Sequence, residues 1–455
     1  MNDTTIAAIS TAQASAGISV IRISGEQSIA IADSVFKAKN KKKLSEMKGY
    51  TCALGEVFSR GEKLDECIAT VFSAPHSYTG ENVVELSCHG GVFLTAQVLR
   101  AVLDAGAVPA EAGEFTKRAF LNGKLDLIEA ESVMDLISSR SLASARAALS
   151  VKDGDLSKRI NAVKQALTDM AAHLNAWADY PEEDIPEVEA GALLAALLNA
   201  QRKLKEILAG YDNGRLLKEG VDTVIAGKPN VGKSTLMNLL AGYEKSIVTE
   251  IAGTTRDVVE ENVNLDDLIL NLSDTAGIRE TGDLIEQIGV DKAQKKARAA
   301  SLLLCVFDAS QPLTAEDEKV TAMVSEIPAV AILNKWDLPH RIDEAALTSR
   351  FDRVVTMSAK HAEGVKTLIE AIRSVCMKND VSGATVLNYN ERQRRLTAKA
   401  ADHVSEAIEA LQRGMTFDAV TVSIEEALTF LCELSGERVS DAVIDQVFHR
   451  FCVGK

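Results

Sequence analysis

Aromatic side chains are scarce in this sequence, at 4% of its 455 residues. With Ala and Leu abundant, that scarcity leans the average towards helix. No run of 18 or more uninterrupted apolar residues occurs, which predicts that nothing spans a membrane. Positive charge is in deficit: 50 Lys and Arg face 65 Asp and Glu, for a net charge of −15. That balance argues against a protein that simply coats nucleic acid, because phosphate binding is dominated by Lys and Arg. The seven cysteines (52, 67, 88, 305, 376, 432, 452) include no CxxC pair. An odd, scattered set without a leader predicts reduced thiols. The start Met1-Asn2-Asp3 carries an acid where a secretory leader carries positive charge, so it reads as a cytoplasmic protein. Internal repeats and low-complexity tracts are missing too. What remains, 46% hydrophobic and 25% charged, is ordinary for a globular chain, and the length predicts roughly three domains.

The first 120 residues mix strand signals at Ile18–Ile23, Glu66–Phe72 and Val83–Leu86 with a helix signal from Gly91 to Ala105. From Leu121 a 3.6-residue period persists to Ala178. The prolines of Tyr180–Pro186 break it, and an Ala/Leu-rich helix runs from Val188 to Gly210. Strand, glycine-rich loop and helix then alternate as far as Met377, the pattern of a parallel sheet. Helical periodicity returns from Asn390. The expected architecture is an α+β domain (1–120), a helical domain in two parts (121–215 and 379–455), and an α/β domain inserted between them (216–378).

Residues 227–234, Gly-Lys-Pro-Asn-Val-Gly-Lys-Ser, match GxxxxGK[ST] between an apolar strand (Val221–Ala226) and a helix (Thr235–Ala241). Backbone amides of such a loop curl around a β-phosphate, helped by the helix dipole. Lys233 would neutralise β- and γ-oxygens, and the Ser234 hydroxyl would ligate Mg²⁺. Asp274-Thr275-Ala276-Gly277 follows the strand Leu268–Leu272. Asp274 can reach the magnesium shell there, and the Gly277 amide the γ-phosphate. Asn334-Lys335-Trp336-Asp337 ends the strand Ala329–Leu333, and Ser358-Ala359-Lys360 is placed to back the base. The Asp337 carboxylate can accept two hydrogen bonds from guanine that adenine cannot offer, a discrimination on the order of 10⁴-fold. Between these motifs Thr249-Glu250-Ile251-Ala252-Gly253-Thr254-Thr255-Arg256-Asp257 supplies Thr255 as a second Mg²⁺ ligand. The candidate nucleotide contacts also include Asn230, Val231, Gly232 and Thr235. A P-loop GTPase follows.

Ile278 stands where Ras-like enzymes place the glutamine that orients the attacking water. Isoleucine cannot do that, so either hydrolysis is poor or another polar group is delivered. Arg279, Glu280, Asp283, Glu286 and Gln287 are candidates.

The loop with Asn230, the Ile251–Asp257 stretch and Asp274–Gly277 followed by an aliphatic residue resemble the TrmE/Era/EngA class of GTPases. Val20-Ile21-Arg22-Ile23-Ser24-Gly25, Tyr78-Thr79-Gly80-Glu81, Phe120-Leu121-Asn122-Gly123-Lys124 and the tail Phe451-Cys452-Val453-Gly454-Lys455 extend the likeness over the whole chain, to the tRNA-modification GTPases of that class. The resemblance implies that Asn230, Thr249, Ile251 and Thr254 hold K⁺ in place of an arginine finger, and that hydrolysis is coupled to nucleotide-domain dimerisation. It implies that Glu286 positions the attacking water. It further implies a homodimer whose N-terminal domain binds a 5-formyl- or methylene-tetrahydrofolate through Arg22, Glu85, Lys124 and Lys455, with Cys452 facing that pocket.

On residue type alone Arg22 and Lys124 read as surface charges and Cys452 as a buried small residue; the resemblance sets a functional thiol at Cys452 on even terms with that reading. The tail makes a poor prenylation box, with Gly third and Lys last. The resemblance also implies a flavoprotein partner (MnmG, also called GidA) in a heterotetramer or larger complex. Together they would install an aminomethyl or carboxymethylaminomethyl group at C5 of a tRNA wobble uridine. The chain has no GxGxxG dinucleotide fingerprint, so flavin chemistry would belong to that partner. The basic runs Lys37–Lys43 and Arg392–Arg395 read as solvated faces. The alternative, a ribosome-assembly switch binding rRNA, would bring an RNA-binding appendage or a second P-loop, and the sequence has neither. A membrane-scaffolding GTPase is disfavoured by the lack of apolar spans and of a basic amphipathic helix.

Overall fold

The computed structural model describes residues 4–179, 189–243, 260–265, 268–273, 300–324, 327–376 and 390–455. The chain divides into two compact units. The first comprises residues 1–137, 151–204 and 395–455, and the second residues 138–150 and 205–394.

The first unit opens with β1 (Ile6–Ile9), β2 (Ile18–Ser24), α1 (Ser28–Val35), β3 (Phe36–Ala38), β4 (Thr51–Ser59), β5 (Glu62–Phe72) and β6 (Val83–His89), then α2 (Val92–Asp104), β7 (Val108–Pro109) and α3 (Glu114–Leu121). The strands form one sheet in the order β3-β4-β5-β6-β2-β1-β7, antiparallel except at the β1–β7 edge. Alternation along the strands decides which side chains are buried. Ile21, Ile23, Val84 and Leu86 join Val98 and Val102 of α2 in a core on one face. Arg22 and Glu85 stand directly opposite each other in the β2–β6 register, on the other face. The helices α4 (Leu127–Ile137), α5 (Leu142–Lys152), α6 (Asp155–Asp179) and α7 (Ala190–Glu219) follow, of which residues 142–150 and 205–219 belong to the second unit. In α6, Leu156, Ile160, Val163, Leu167, Ala171 and Leu174 recur at three- and four-residue spacing and are all buried, which makes one apolar stripe.

The second unit is an α/β sandwich: β8 (Val221–Ala226), α8 (Lys233–Tyr243), β9 (Glu260–Leu265), β10 (Leu268–Ser273), β11 (Leu302–Asp308), α9 (Ala315–Thr321), β12 (Ala329–Asn334), α10 (Glu344–Thr348), β13 (Arg353–Thr356) and α11 (Val365–Cys376). Its strand order is β13-β12-β11-β8-β10-β9, parallel except for the β9–β10 hairpin. Every residue of β11 and β12 is buried, as expected of central strands covered on both faces. Separate apolar clusters cover the two faces. The loops at the carboxyl ends of β8, β12 and β13 therefore meet along one edge, where open α/β sheets bind ligands.

The chain then returns to the first unit through α12 (Glu391–Gln412), α13 (Phe417–Ser435) and α14 (Asp441–Phe448). Phe448 and Phe451 pack with Leu127, Ala130 and Val133 of α4. The tail after α14 is anchored to the N-terminal domain: Val453 pairs with Ala112, and the Ser10 hydroxyl donates to the Gly454 carbonyl at 3.0 Å. Gly436 ends α13 at φ 90°, and a Cβ there would meet Phe120 at 2.8 Å and Leu127 at 2.9 Å. Gly414, between α12 and α13, has φ 69° but nothing within 4 Å of its Cβ position. Gly414→Ala should therefore cost only the left-handed backbone term, about 1 kcal/mol, whereas Gly436→Ala should cost at least about 2 kcal/mol. Thermal unfolding of the two variants side by side checks this, and equal shifts would refute the packing assignment.

Candidate functional site

Residues 227–232 form the turn between β8 and α8. Asn230 adopts φ 63°, a left-handed conformation that asparagine tolerates better than most residues. Gly232 sits at φ 102°, and a Cβ on it would overlap the Asn334 side-chain amide. Only glycine lets the loop come this close. The Lys233 ammonium donates to the carbonyls of Gly227 and Lys228, both at 2.8 Å, which holds it across the mouth of the loop. Ser234 and Thr235 are exposed at the start of α8, where free amides and the helix dipole favour an anion.

Asn334, at the end of β12, is buried and satisfied at both ends of its carboxamide. Its Nδ2 donates to the Val231 carbonyl at 2.8 Å, and its Oδ1 accepts from the Ala359 amide at 2.9 Å. The next residue, Lys335, is in a left-handed conformation (φ 63°) and reaches back to Asp308 Oδ2 at 2.6 Å. Asp308 closes β11, and its other oxygen accepts from the Ser310 amide and hydroxyl. Burial opposes its ionisation, but the Lys335 ammonium and the Ser310 donors outweigh that and hold its carboxyl below the ordinary value. Asp337 Oδ1 accepts from the Ser358 hydroxyl at 2.6 Å, while Oδ2 lies 3.8 Å from His361 Nε2. The Ser358 bond foremost, aided by the charges of His361 and Lys360, lowers the Asp337 pKa. The carboxylate thus stays an acceptor well into mild acid.

The structure thereby brings Val231, Gly232, Asn334, Asp337, Ser358 and Ala359 into one connected set, with Lys233 anchored to the same loop. Thr249, Glu250, Ile251, Ala252, Gly253, Thr254, Thr255, Asp274, Thr275, Ala276, Gly277 and Glu286 lie outside the described residues. Asp308 and His361 are additions that motif reading missed. Asp308 had a signal, a charged residue closing an otherwise apolar strand; His361 had none.

In the first unit, Arg22 lies between the rings of Tyr78 (5.3 Å) and Phe115 (5.6 Å). Its Nε and Nη2 both bond Glu85 Oε1 at 2.8 Å, which leaves Oε2 to accept from another group. Arg22 Nη1 is buried without a partner. The anchored tail brings Lys455 to this pair. Burial, and then the Arg22 charge, push the Lys455 pKa down, against the pull of Glu85 and Cys452. Cys452 is exposed. Lys124 reaches the loop that carries Tyr78, its ammonium donating to the Pro75 carbonyl at 3.1 Å. Two cations, a half-free carboxylate and aromatic faces make a donor set that fits a flat heterocycle carrying carboxylates. Among the described residues no helix is long and apolar enough to cross a membrane.

Residues 5–124 match the family model described as GTP-binding protein TrmE N-terminus, and residues 127–452 that of the MnmE helical domain. The chain is 40% identical over 458 residues to the tRNA modification GTPase MnmE of Alkaliphilus metalliredigens, covering 100% of this chain and 99% of that one. Its identity is 42% to the protein of that name from Lactiplantibacillus plantarum, with 99% of this chain and 98% of that one covered. Against the Clostridioides difficile protein it is 37%, covering 100% and 99%. Similarity of this extent, together with a loop-and-strand constellation built for a guanine nucleotide, places the chain in the MnmE family of tRNA modification GTPases.

Proposed function

We propose that the protein hydrolyses GTP to drive modification of a tRNA wobble uridine at C5, acting as a cytoplasmic homodimer with a flavoprotein of the MnmG type. The observation that carries this reading is the Asn334 bridge from Val231 to Ala359, which ties a phosphate loop to a base-reading loop. Lys233 would pass from the loop carbonyls to the β- and γ-phosphates, and Asp337, aligned by Ser358, would accept from guanine. Ser234 and Thr255 would hold Mg²⁺, and Asn230, Thr249, Ile251 and Thr254 a K⁺ ion. The exposed Ser234 hydroxyl and Asn230 carboxamide are hard oxygen donors, the type such cations take. The bound cations would supply positive charge where it develops on the phosphate oxygens. Glu286 would align the attacking water in place of the glutamine that Ile278 replaces.

Residues 1–120 would bind the folate, residues 121–215 and 379–455 form the helical scaffold, and residues 216–378 act as its nucleotide-driven module. The unpartnered Arg22 Nη1 supports the folate reading, because a buried donor costs on the order of 1–3 kcal/mol unless a ligand satisfies it. Glu85 Oε2 would take the pterin amide edge, and Lys455 a carboxylate of the glutamate tail. The folate would supply the one-carbon unit. On this reading Cys452 borders the pocket.

Deleting the gene should abolish the C5 modification in nucleoside mass spectrometry of bulk tRNA; an unchanged profile would sink the proposal. Replacing Na⁺ with K⁺ should raise GTP turnover at least about tenfold, and equal rates in both salts would remove the cation assignment. Glu286→Ala should lower kcat by about 10²-fold or more with little change in GTP affinity. Comparable losses in both would make Glu286 a structural residue.

A further inference from the structure

The phosphate loop has a second tether that neither motif reading nor the family likeness singled out. Lys228, the second residue of the loop, turns its side chain away from the loop mouth. Its Nζ donates to Asp317 Oδ2 at 2.8 Å and to Thr314 Oγ1 at 3.4 Å. Both ends of the pair are nearly sealed from solvent, with side-chain exposures of 11% and 4%. Asp317 and Thr314 already form the capping box of α9, with the Thr314 amide (2.9 Å) and hydroxyl (2.7 Å) donating to the same Oδ2. The cap is complete without Lys228. Asp317 Oδ1, meanwhile, is buried and unpartnered.

A carboxylate that crowds three donors onto one oxygen and strands the other is not arranged for maximal stability. Buried ion pairs seldom exceed an apolar substitute in stability, and specifying geometry is the better-attested reason for keeping one. The geometry specified here is local. Nζ pulls the Lys228 side chain onto α9, while the Lys228 carbonyl faces inward and accepts from Lys233 Nζ at 2.8 Å. Through one residue, α9 thus sets the direction of a carbonyl that holds the phosphate-facing ammonium. The Asp317 pKa is lowered even though burial raises it, because Lys228 and Thr314 prevail, so the pair stays charged at neutral pH.

We propose that Asp317, acting through Lys228, is a positioning residue for the phosphate loop that sets nucleotide affinity. The inference rests on the reading of residues 227–234 as the nucleotide site. The test uses the full chain, with N-methylanthraniloyl-GDP binding, steady-state GTP hydrolysis and thermal midpoint as readouts. Asp317→Asn should lower the midpoint and weaken binding about tenfold, since it removes one partner of a buried pair. In Lys228→Met/Asp317→Asn both charges are gone and volume is kept, so the midpoint should recover. Binding should stay weakened about tenfold, with the loss in KM rather than kcat, because methionine has no donor to set the carbonyl. If the double variant regains affinity together with its midpoint, the pair is only structural and the proposal falls. Lys233→Ala separates the two levels. If it abolishes binding while the Asp317 variants bind as the parent does, this inference alone fails. If it leaves binding intact, the loop is not the nucleotide site and the inference falls with it.

Discussion

The second unit depends on one buried carboxamide. Asn334 links the loop after β8 to the loop after β13, and the linkage works because parallel register delivers the ends of β8, β11, β12 and β13 to the same edge. Both polar ends are satisfied in a dry environment, where a half-satisfied amide would be costly. Its position dictates the residues around it. Gly232 must lack a side chain because the amide occupies the space, and Lys335 takes up a left-handed turn that returns its ammonium to Asp308. Two residues further on, Asp337 is left facing Ser358.

The motifs of this site were readable because each is local: a glycine-rich turn after an apolar strand, or an acid one turn past another. The strand ends at Ala226, Ser273 and Asn334 fall within a residue or two of the expected ones for the same reason, since buried parallel strands are continuous apolar runs. The N-terminal sheet was harder. β1 is four residues long, and in β4 the buried Ala53, Gly55 and Val57 alternate with the apolar Leu54 and Phe58, so neither sequence carries a clear period-two signal. Pairings across long separations were invisible. Nothing in the sequence around Asp317 points to Lys228, 89 residues away, and nothing around Arg22 points to Glu85 across 63. Family likeness supplied Arg22, Glu85 and Lys455 as a group, and the geometry supplies the reason they can act together. Lys124, offered by the same likeness, bonds the Pro75 carbonyl, three residues before the Tyr78 that faces Arg22.

Two orphaned atoms have opposite meanings. Arg22 Nη1 is a donor stranded beside a second cation and two aromatic faces, at the spot where the tail delivers Lys455. Ligand chemistry of the right sign would relieve it. Asp317 Oδ1 is an acceptor stranded behind an ion pair already made. A ligand there is not needed to explain it, because the other oxygen already takes the Lys228 ammonium and both Thr314 donors. Burial without a partner signals a site only when the surrounding charges are themselves left unbalanced.

The net charge of −15 bears on the proposed chemistry in the same way. An RNA held by this chain alone would lose affinity to general repulsion, since each phosphate contact needs a local cation. Several of the cations described here are committed internally: Lys233 to loop carbonyls, Lys335 to Asp308, Lys228 to Asp317, and Arg22 to Glu85. Their arrangement serves small anionic ligands, each enclosed by a few fixed donors, rather than a polyanion spread over a surface. On the proposed reading, that economy of charge would suit a division of labour, with nucleotide and folate recognition in this chain and the bulk of the tRNA backbone carried by the partner.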